Sequence, residues 1–243
     1  MFPAEADDAH VRAPFITTPG AVVERMLQLA GTQPGDVVMD LGSGDGRIVI
    51  AAAQKFGARG IGIELNRALV EQSRRNAELA KVADRVSFVQ GDVLTADLAP
   101  ASVVTVYLLP GLLDKLEPRF IHELQPGTRI VAHAFGMAGW KPDRTETLRI
   151  AEPHPGQGPE SRLHLWVVPA EVRGAWRGHG RAVRIEQNYQ QIEVEGASLA
   201  RLSGREISWQ WPDGRFSARV EGDRMSGELI TPDGRTQALG LSR

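Results

Sequence analysis

Between residues 19 and 133, short β-branched apolar runs alternate with amphipathic stretches, and no other feature constrains the fold as tightly. The runs are residues 36–41, 60–64, 86–90, 103–108 and 129–133. Their near-continuous apolar character suits strands covered on both faces. The stretches at 19–29, 47–56, 67–81 and 111–124 place apolar residues at helical spacing. In the first, Val22, Val23, Met26, Leu27 and Ala30 share a face, with Thr18 placed as N-cap and Pro19 as the first helical residue. Strand then helix, repeated, predicts a mostly parallel α/β sheet with helices packed on it. Residues 148–150 and 162–168 follow with no good helix between them and read as an antiparallel pair at the sheet edge.

After Val172 the pattern changes to short alternating segments separated by turn signals. These are Gly178-His179-Gly180, Pro212-Asp213-Gly214, Glu221-Gly222-Asp223 and Pro232-Asp233-Gly234. Such spacing predicts an antiparallel meander. Trp209 and Trp211, two apart, point to one face of a strand. The expected division is an α/β domain over residues 1–172 and a small antiparallel β-sandwich or flattened barrel over 173–243. A barrel of that size is filled by its own side chains. Its expected work is to pack on the larger domain, cap its cleft or pair two chains.

Composition removes several classes of function. The 243 residues are 42% apolar and 24% charged, an ordinary globular balance. A formal net charge of -2 carries no nucleic-acid signature, so no such partner is expected. The chain has no cysteine, which excludes disulfides, thiolate metal sites and a cysteine nucleophile. Its 6 histidines show no paired spacing, so no metal is expected. No apolar run is long enough to span a bilayer, and residues 1–10 do not read as a signal segment, so the expected compartment is the cytoplasm.

Chemistry concentrates where the first strand meets its helix, at Asp40-Leu41-Gly42-Ser43-Gly44-Asp45-Gly46. Glycines there let the turn take angles closed to other residues and let a ligand approach the main chain. The helix that follows presents free N–H groups and a positive dipole end. A pyrophosphate site uses the spacing G-x-G-x-x-G. Here the spacing is G-x-G-x-G with Asp40 two residues ahead, an acid that repels a pyrophosphate and suits the ammonium of an amino acid. Glu64 ends the second run, where an acid accepts from both hydroxyls of a ribose. Asp92 follows the third run and can accept from an adenine amino group, with Val93 against the ring. Singly, each acid is more often a solvated strand-end residue. Three in order at consecutive strand ends fit a nucleoside carrying a cationic amino acid, which is S-adenosylmethionine.

The segments Pro14-Phe15-Ile16-Thr17-Thr18-Pro19, residues 40–47, Gly60-Ile61-Gly62-Ile63-Glu64-Leu65-Asn66 and Val106-Tyr107-Leu108-Leu109-Pro110 carry a likeness. Over residues 14–140 the chain resembles class I methyltransferases. Among them it is most similar to the mitochondrial lysine methyltransferases of the adenine nucleotide translocase and the ATP synthase c-subunit, with their bacterial relatives. The non-SET histone-lysine methyltransferases share its Asp-Leu-Gly-Ser-Gly turn more distantly. The resemblance implies a Rossmann-like sheet of seven strands and methyl transfer to a lysine amine. It implies that Asp40, Gly42, Gly44, Glu64 and Asp92 hold the cofactor and that Thr17 and Thr18 close over it. Residues 107–110 are then the methyl-acceptor side. Two departures stand out. Many amino-methyltransferases end the fourth strand with Asn/Asp-Pro-Pro-Tyr, and Tyr107-Leu108-Leu109-Pro110 in its place argues against adenine-N6 and glutamine acceptors. The β-rich tail is also foreign to the mitochondrial enzymes.

Methyl transfer from a sulfonium is an in-line displacement, so the protein mainly aligns the reactants and excludes water. A lysine acceptor must be neutral, and an apolar mouth lowers its pKa without an obligatory base. Tyr107 is the candidate to orient the acceptor, with a rim or core tyrosine as the equal alternative. His133 is the candidate proton relay, although a histidine at a strand end is more often simply hydrogen-bonded in the core. His164 reads as structural, and His154 lies in a Pro/Gly loop. Three readings result: a protein-lysine methyltransferase, a small-molecule methyltransferase with the same cofactor site, and a nucleoside- or NAD-binding protein without methyl transfer.

Overall fold

A computed structural model describes residues 16–151 and 158–243; Pro14, Phe15 and His154 lie outside them. The first part alternates α1 (Gly20–Leu29), β1 (Val37–Leu41), α2 (Arg47–Phe56), β2 (Arg59–Glu64), α3 (Arg67–Leu79), β3 (Val86–Gln90), β4 (Val103–Val106), α4 (Pro110–Glu123), β5 (Arg129–His133), β6 (Arg144–Arg149) and β7 (Glu160–Val167). These strands form one sheet of seven in the order β3-β2-β1-β4-β5-β7-β6. β1 to β5 run parallel, and β7 and β6 form the expected antiparallel pair at the edge. No helix among the described residues is long and apolar enough to cross a membrane.

Period-two alternation assigns each strand residue to one of two cores. Val38, Val103, Val131 and Leu163 pack with Val22, Met26, Leu27, Val49 and Val70 of α1 to α3. Met39, Val104, Ile130 and Trp166 pack on the other face with Leu113, Leu116 and Phe120 of α4. Asp40 and Thr105 fall on the first face, opposite each other in the β1–β4 register. That placement becomes a hydrogen bond in the site.

Several boundaries differ from the sequence expectation. The N-cap of α1 is Pro19 and not Thr18, with no side-chain cap bond. The Thr18 carbonyl instead accepts from the Arg47 guanidinium at 2.8 Å. α3 ends at Leu79, ahead of Lys81, whose φ of 57° breaks the helix. β4 stops at Val106, because Leu108 turns away to pack beside Gly42.

The second part contains β8 (Gly174–Gly178), β9 (Arg181–Asn188), β10 (Gln191–Val194), β11 (Ser198–Ser203), β12 (Glu206–Trp211), β13 (Gly214–Glu221), β14 (Arg224–Ile230) and β15 (Thr236–Ser242). All four turn signals join neighbouring antiparallel strands. The arrangement is a single sheet, β10-β9-β8-β15-β14-β13-β12-β11, rather than a two-layered sandwich. It curls until its edge strands β10 and β11 lie side by side, the flattened-barrel alternative. Trp176, Trp209, Trp211 and Phe216 fill its inside. Trp209 and Trp211 do share a face, with ring centroids 5.2 Å apart.

Candidate active site

In an open parallel sheet, ligands bind beyond the carboxyl ends of the strands where the strand order reverses. Here that point lies between β1 and β4, and the β1–α2 turn stands over it. Gly42, Gly44 and Gly46 all have positive φ. At Gly46 (φ +81°) a Cβ would lie 2.6 Å from the Phe88 ring, so any side chain there would force the ring or the turn to move.

The turn is anchored from several sides. The N–H groups of Gly42 and Ser43 both donate to the Ile63 carbonyl at 2.9 Å. Gly44 N–H donates to Glu64 Oε2 at 2.9 Å, and Asn66 N–H donates to Glu64 Oε1 at 2.9 Å. From α3, Ser73 Oγ donates to the Gly44 carbonyl at 2.8 Å and Asn76 Nδ2 to the Asp45 carbonyl at 2.9 Å. Asp45 pairs with Arg47 at 2.6 Å, and Arg47 ties the half-buried Thr17 and buried Thr18 segment to the turn.

Asp40 sits beneath this turn, 3% exposed, and Thr105 Oγ1 donates to its Oδ1 at 2.7 Å. Burial raises its pKa to about 7; the Thr105 hydrogen bond opposes the rise, and the negative charges of Glu64 and Asp45 add to it. An acid so placed favours a cation. The buried Ser43 Oγ has no hydrogen-bond partner among the described residues, which leaves a second polar group for a ligand. Asp40 and this hydroxyl could hold the amino-acid end of S-adenosylmethionine, and Glu64 a ribose. They do not fit a pyrophosphate.

Asp92 is exposed just past β3, and Gly91 N–H before it donates to the Glu64 carbonyl at 3.0 Å. Its Oδ1 accepts from Leu94 N–H at 2.8 Å, which holds the carboxylate at the strand end, while Val93 is half-buried against the α4-side core. Asp40, Ser43, Gly44, Asp45, Gly46 and Glu64 are therefore brought together around the turn. Thr17 and Thr18 flank it from α1, and Asp92 and Val93 flank it from β3.

On the other side, Tyr107 and His133 leave neighbouring strands with ring centroids 4.2 Å apart. His133 is 2% exposed and its Nε2 lies 2.8 Å from Ser161 Oγ. Burial lowers its pKa to about 4, so the ring is neutral at physiological pH. Leu109 and Phe135, each two residues further along the chain, are exposed. His164 hydrogen-bonds Thr145 at 3.0 Å, away from the turn.

Sequence reasoning did not single out Thr105, Arg47, Ser73 or Asn76. Thr105 carried a signal, being the one hydroxyl in the buried run 103–106. The other three hold the turn through side-chain to main-chain bonds, which spacing does not reveal.

Comparison with known proteins supports the same cofactor. A family model described as the ANTKMT methyltransferase domain matches residues 40–144. A protein-lysine N-methyltransferase of Saccharolobus islandicus is 42% identical over 130 residues, covering 53% of this chain and 81% of that one. The ATP synthase c-subunit lysine N-methyltransferase of Mus musculus is 38% identical over 132 residues, 54% of this chain; this chain spans only 53% of the mouse protein's length. Among solved structures, an RNA methyltransferase from Salinibacter ruber in complex with S-adenosyl-L-homocysteine is 48% identical with a TM-score of 0.58, covering 65% of this chain and 96% of that one.

Proposed function

This chain belongs to the S-adenosylmethionine-dependent methyltransferases of the ANTKMT family, and we propose that it methylates the side-chain amine of a lysine in a protein. The observation that carries the acceptor assignment is the Tyr107–His133 ring pair at the ends of adjacent strands, with exposed Leu109 and Phe135 each two residues further on, which we read as an apolar mouth for the acceptor. Such a mouth lowers the pKa of an entering ammonium and favours the neutral amine. The names of the archaeal and mouse relatives support the same acceptor.

When bound, the cofactor supplies an electrophilic methyl group on a sulfonium. In this reading Asp40 and Ser43 hold the amino-acid end, Glu64 the ribose, and Asp92 with Val93 the adenine. Thr17 and Thr18 close over the bound molecule. Tyr107 orients the acceptor nitrogen, whose lone pair takes the methyl carbon as the carbon–sulfur bond breaks. A histidine whose pKa is lowered to about 4 by burial is neutral and a weak base at neutral pH, so the proton of the methylated amine is left to solvent. Residues 1–172 carry this chemistry, and residues 173–243 form an accessory unit.

Incubation of a cell lysate with labelled S-adenosylmethionine tests the acceptor. Label is expected in the protein fraction and, after acid hydrolysis, in Nε-methyllysine. Label confined to RNA, the acceptor class of the Salinibacter protein's name, or to small molecules overturns the lysine assignment.

A further inference from the structure

One of the contacts between the eight-stranded and seven-stranded sheets is a turn whose hydrogen bonds are directional. Tyr189 and Gln190 join β9 to β10, and Tyr189 holds a φ of 53°, uncommon for a residue with a large side chain. Its ring stacks on Trp140 with centroids 5.2 Å apart and planes at 9°. Its hydroxyl donates to Glu117 Oε1 at 2.5 Å, and Glu117 Oε2 accepts from Gly139 N–H at 3.2 Å. Gln190 accepts from Trp140 Nε1 at 2.7 Å and donates to the Lys141 carbonyl at 2.8 Å. Residues 139–141 are thus held from both sides.

Glu117 is 8% exposed and lies on α4, two turns after Pro110. A buried carboxylate is a costly way to join two units, since apolar side chains of similar size serve stability as well. It does fix position, because each oxygen meets one directed donor. The hydrogen bond to Glu117, with burial, raises the Tyr189 pKa to about 12, so the phenol remains a donor at every working pH.

The segment fixed in this way begins at the proposed acceptor mouth. Residues 134–140 follow His133, carry the exposed Phe135, and are tied to α4 again where Ala138 N–H donates to Asp114 Oδ1 at 3.2 Å. The other wall of the mouth, residues 107–110, leads directly into α4. Both walls therefore depend on one helix, and Tyr189 is bonded to that helix from the eight-stranded sheet.

We propose that Tyr189, acting through Glu117, is a positioning residue for the methyl acceptor, and that the C-terminal sheet holds residues 134–140 as a wall of the acceptor mouth. This rests on placing the acceptor beside Tyr107 and His133. The sheet is then a part of substrate binding and not only a packing partner.

Tyr189→Phe in the full-length chain tests it. The acceptor probe is total lysate protein or total lysate RNA, whichever takes label from S-adenosylmethionine, so failure of the lysine assignment leaves this test standing. The half-saturating acceptor concentration is expected to rise about tenfold, with the maximal rate and the Kd for S-adenosylhomocysteine within about twofold of wild type. Without any acceptor, hydrogen exchange at residues 138–140 is expected to quicken about fivefold or more. Glu117→Gln keeps an oxygen for the phenol but turns its NH2 toward Gly139 N–H, so it is expected to raise half-saturation and quicken exchange at residues 138–140 in the same sense as Tyr189→Phe, with S-adenosylhomocysteine affinity within about twofold of wild type. Unchanged half-saturation, unchanged exchange, or an equal loss of S-adenosylhomocysteine affinity overturns the proposal.

Discussion

Asp40→Asn is expected to lose S-adenosylhomocysteine binding by at least about 100-fold and yet to melt above the wild type near pH 8. The two effects share one cause. Asp40 is buried with Thr105 as its hydrogen-bond donor and with Glu64 and Asp45 as acidic neighbours, so its charge stands ready for the ammonium of the ligand. Removing one partner of a buried ion pair costs about 3–5 kcal/mol, which sets the loss of affinity. Without ligand the same charge is a liability. A carboxyl group whose pKa rises from 3.8 unfolded to about 7 folded makes the folded state bind the extra proton between those values. Stability therefore falls as pH rises through that window and is lowest above about pH 7. Asparagine removes this penalty, for a gain on the order of 2 kcal/mol after allowing for its own unpaired N–H groups. Thermal melts across the window check it. The gap between variant and wild type is expected to widen as pH rises, and parallel curves would show that Asp40 does not titrate in that range.

Gly46→Ala carries the second large effect, this time on the fold. The left-handed conformation costs an L-residue about 1–2 kcal/mol. The added methyl group would lie 2.6 Å from the Phe88 ring and 3.0 Å from Ser73 Cβ, both buried, and overpacking of that kind costs about 1–3 kcal/mol more. A loss of about 3 kcal/mol lowers the Tm of a chain this size by roughly 6–12 °C. Gly111→Ala is the internal control. It lies in α4 with nothing within 4 Å of a Cβ, so alanine is expected to raise stability by about 0.5–1 kcal/mol. A Gly46→Ala protein that melts with the wild type would mean that Phe88 and the turn adjust freely.

The parallel sheet was legible because its strands are buried on both faces and write continuous apolar runs. β2, β3 and β5 match the expected limits to within a residue. The edge pair β6–β7 was legible in kind but short in extent, since Arg144 to Arg149 alternates polar residues that face solvent. Thr18 was misplaced as a cap because its hydroxyl competes with nothing the sequence can show; the Arg47 guanidinium uses its carbonyl instead. The tail's hairpins could be read from their turns, but whether one sheet closes or two stack depends on curl, which short alternating strands leave open. In the candidate site, the acids were visible because each lies at or just past the end of a strand. Thr105, Ser73 and Asn76 were not, since their work is to hold main chain and carboxylate in place. The least legible feature was the Tyr189–Glu117 contact, between residues 72 apart with no pattern linking them.

In the proposed site, acids at successive strand ends, and not the glycine turn alone, select the methyl donor. Glu64 is its most direct probe, because its oxygens accept from Gly44 and Asn66 at the rim of the turn, outside the cores. Calorimetric titration of Glu64→Ala with S-adenosylhomocysteine is the measurement. Hydrogen bonds to a charged acceptor contribute about 1.5–3 kcal/mol each, so loss of the two proposed for the ribose predicts affinity reduced at least about 100-fold in a protein that still melts cooperatively. A folded Glu64→Ala protein that binds S-adenosylhomocysteine as tightly as the wild type would contradict the account.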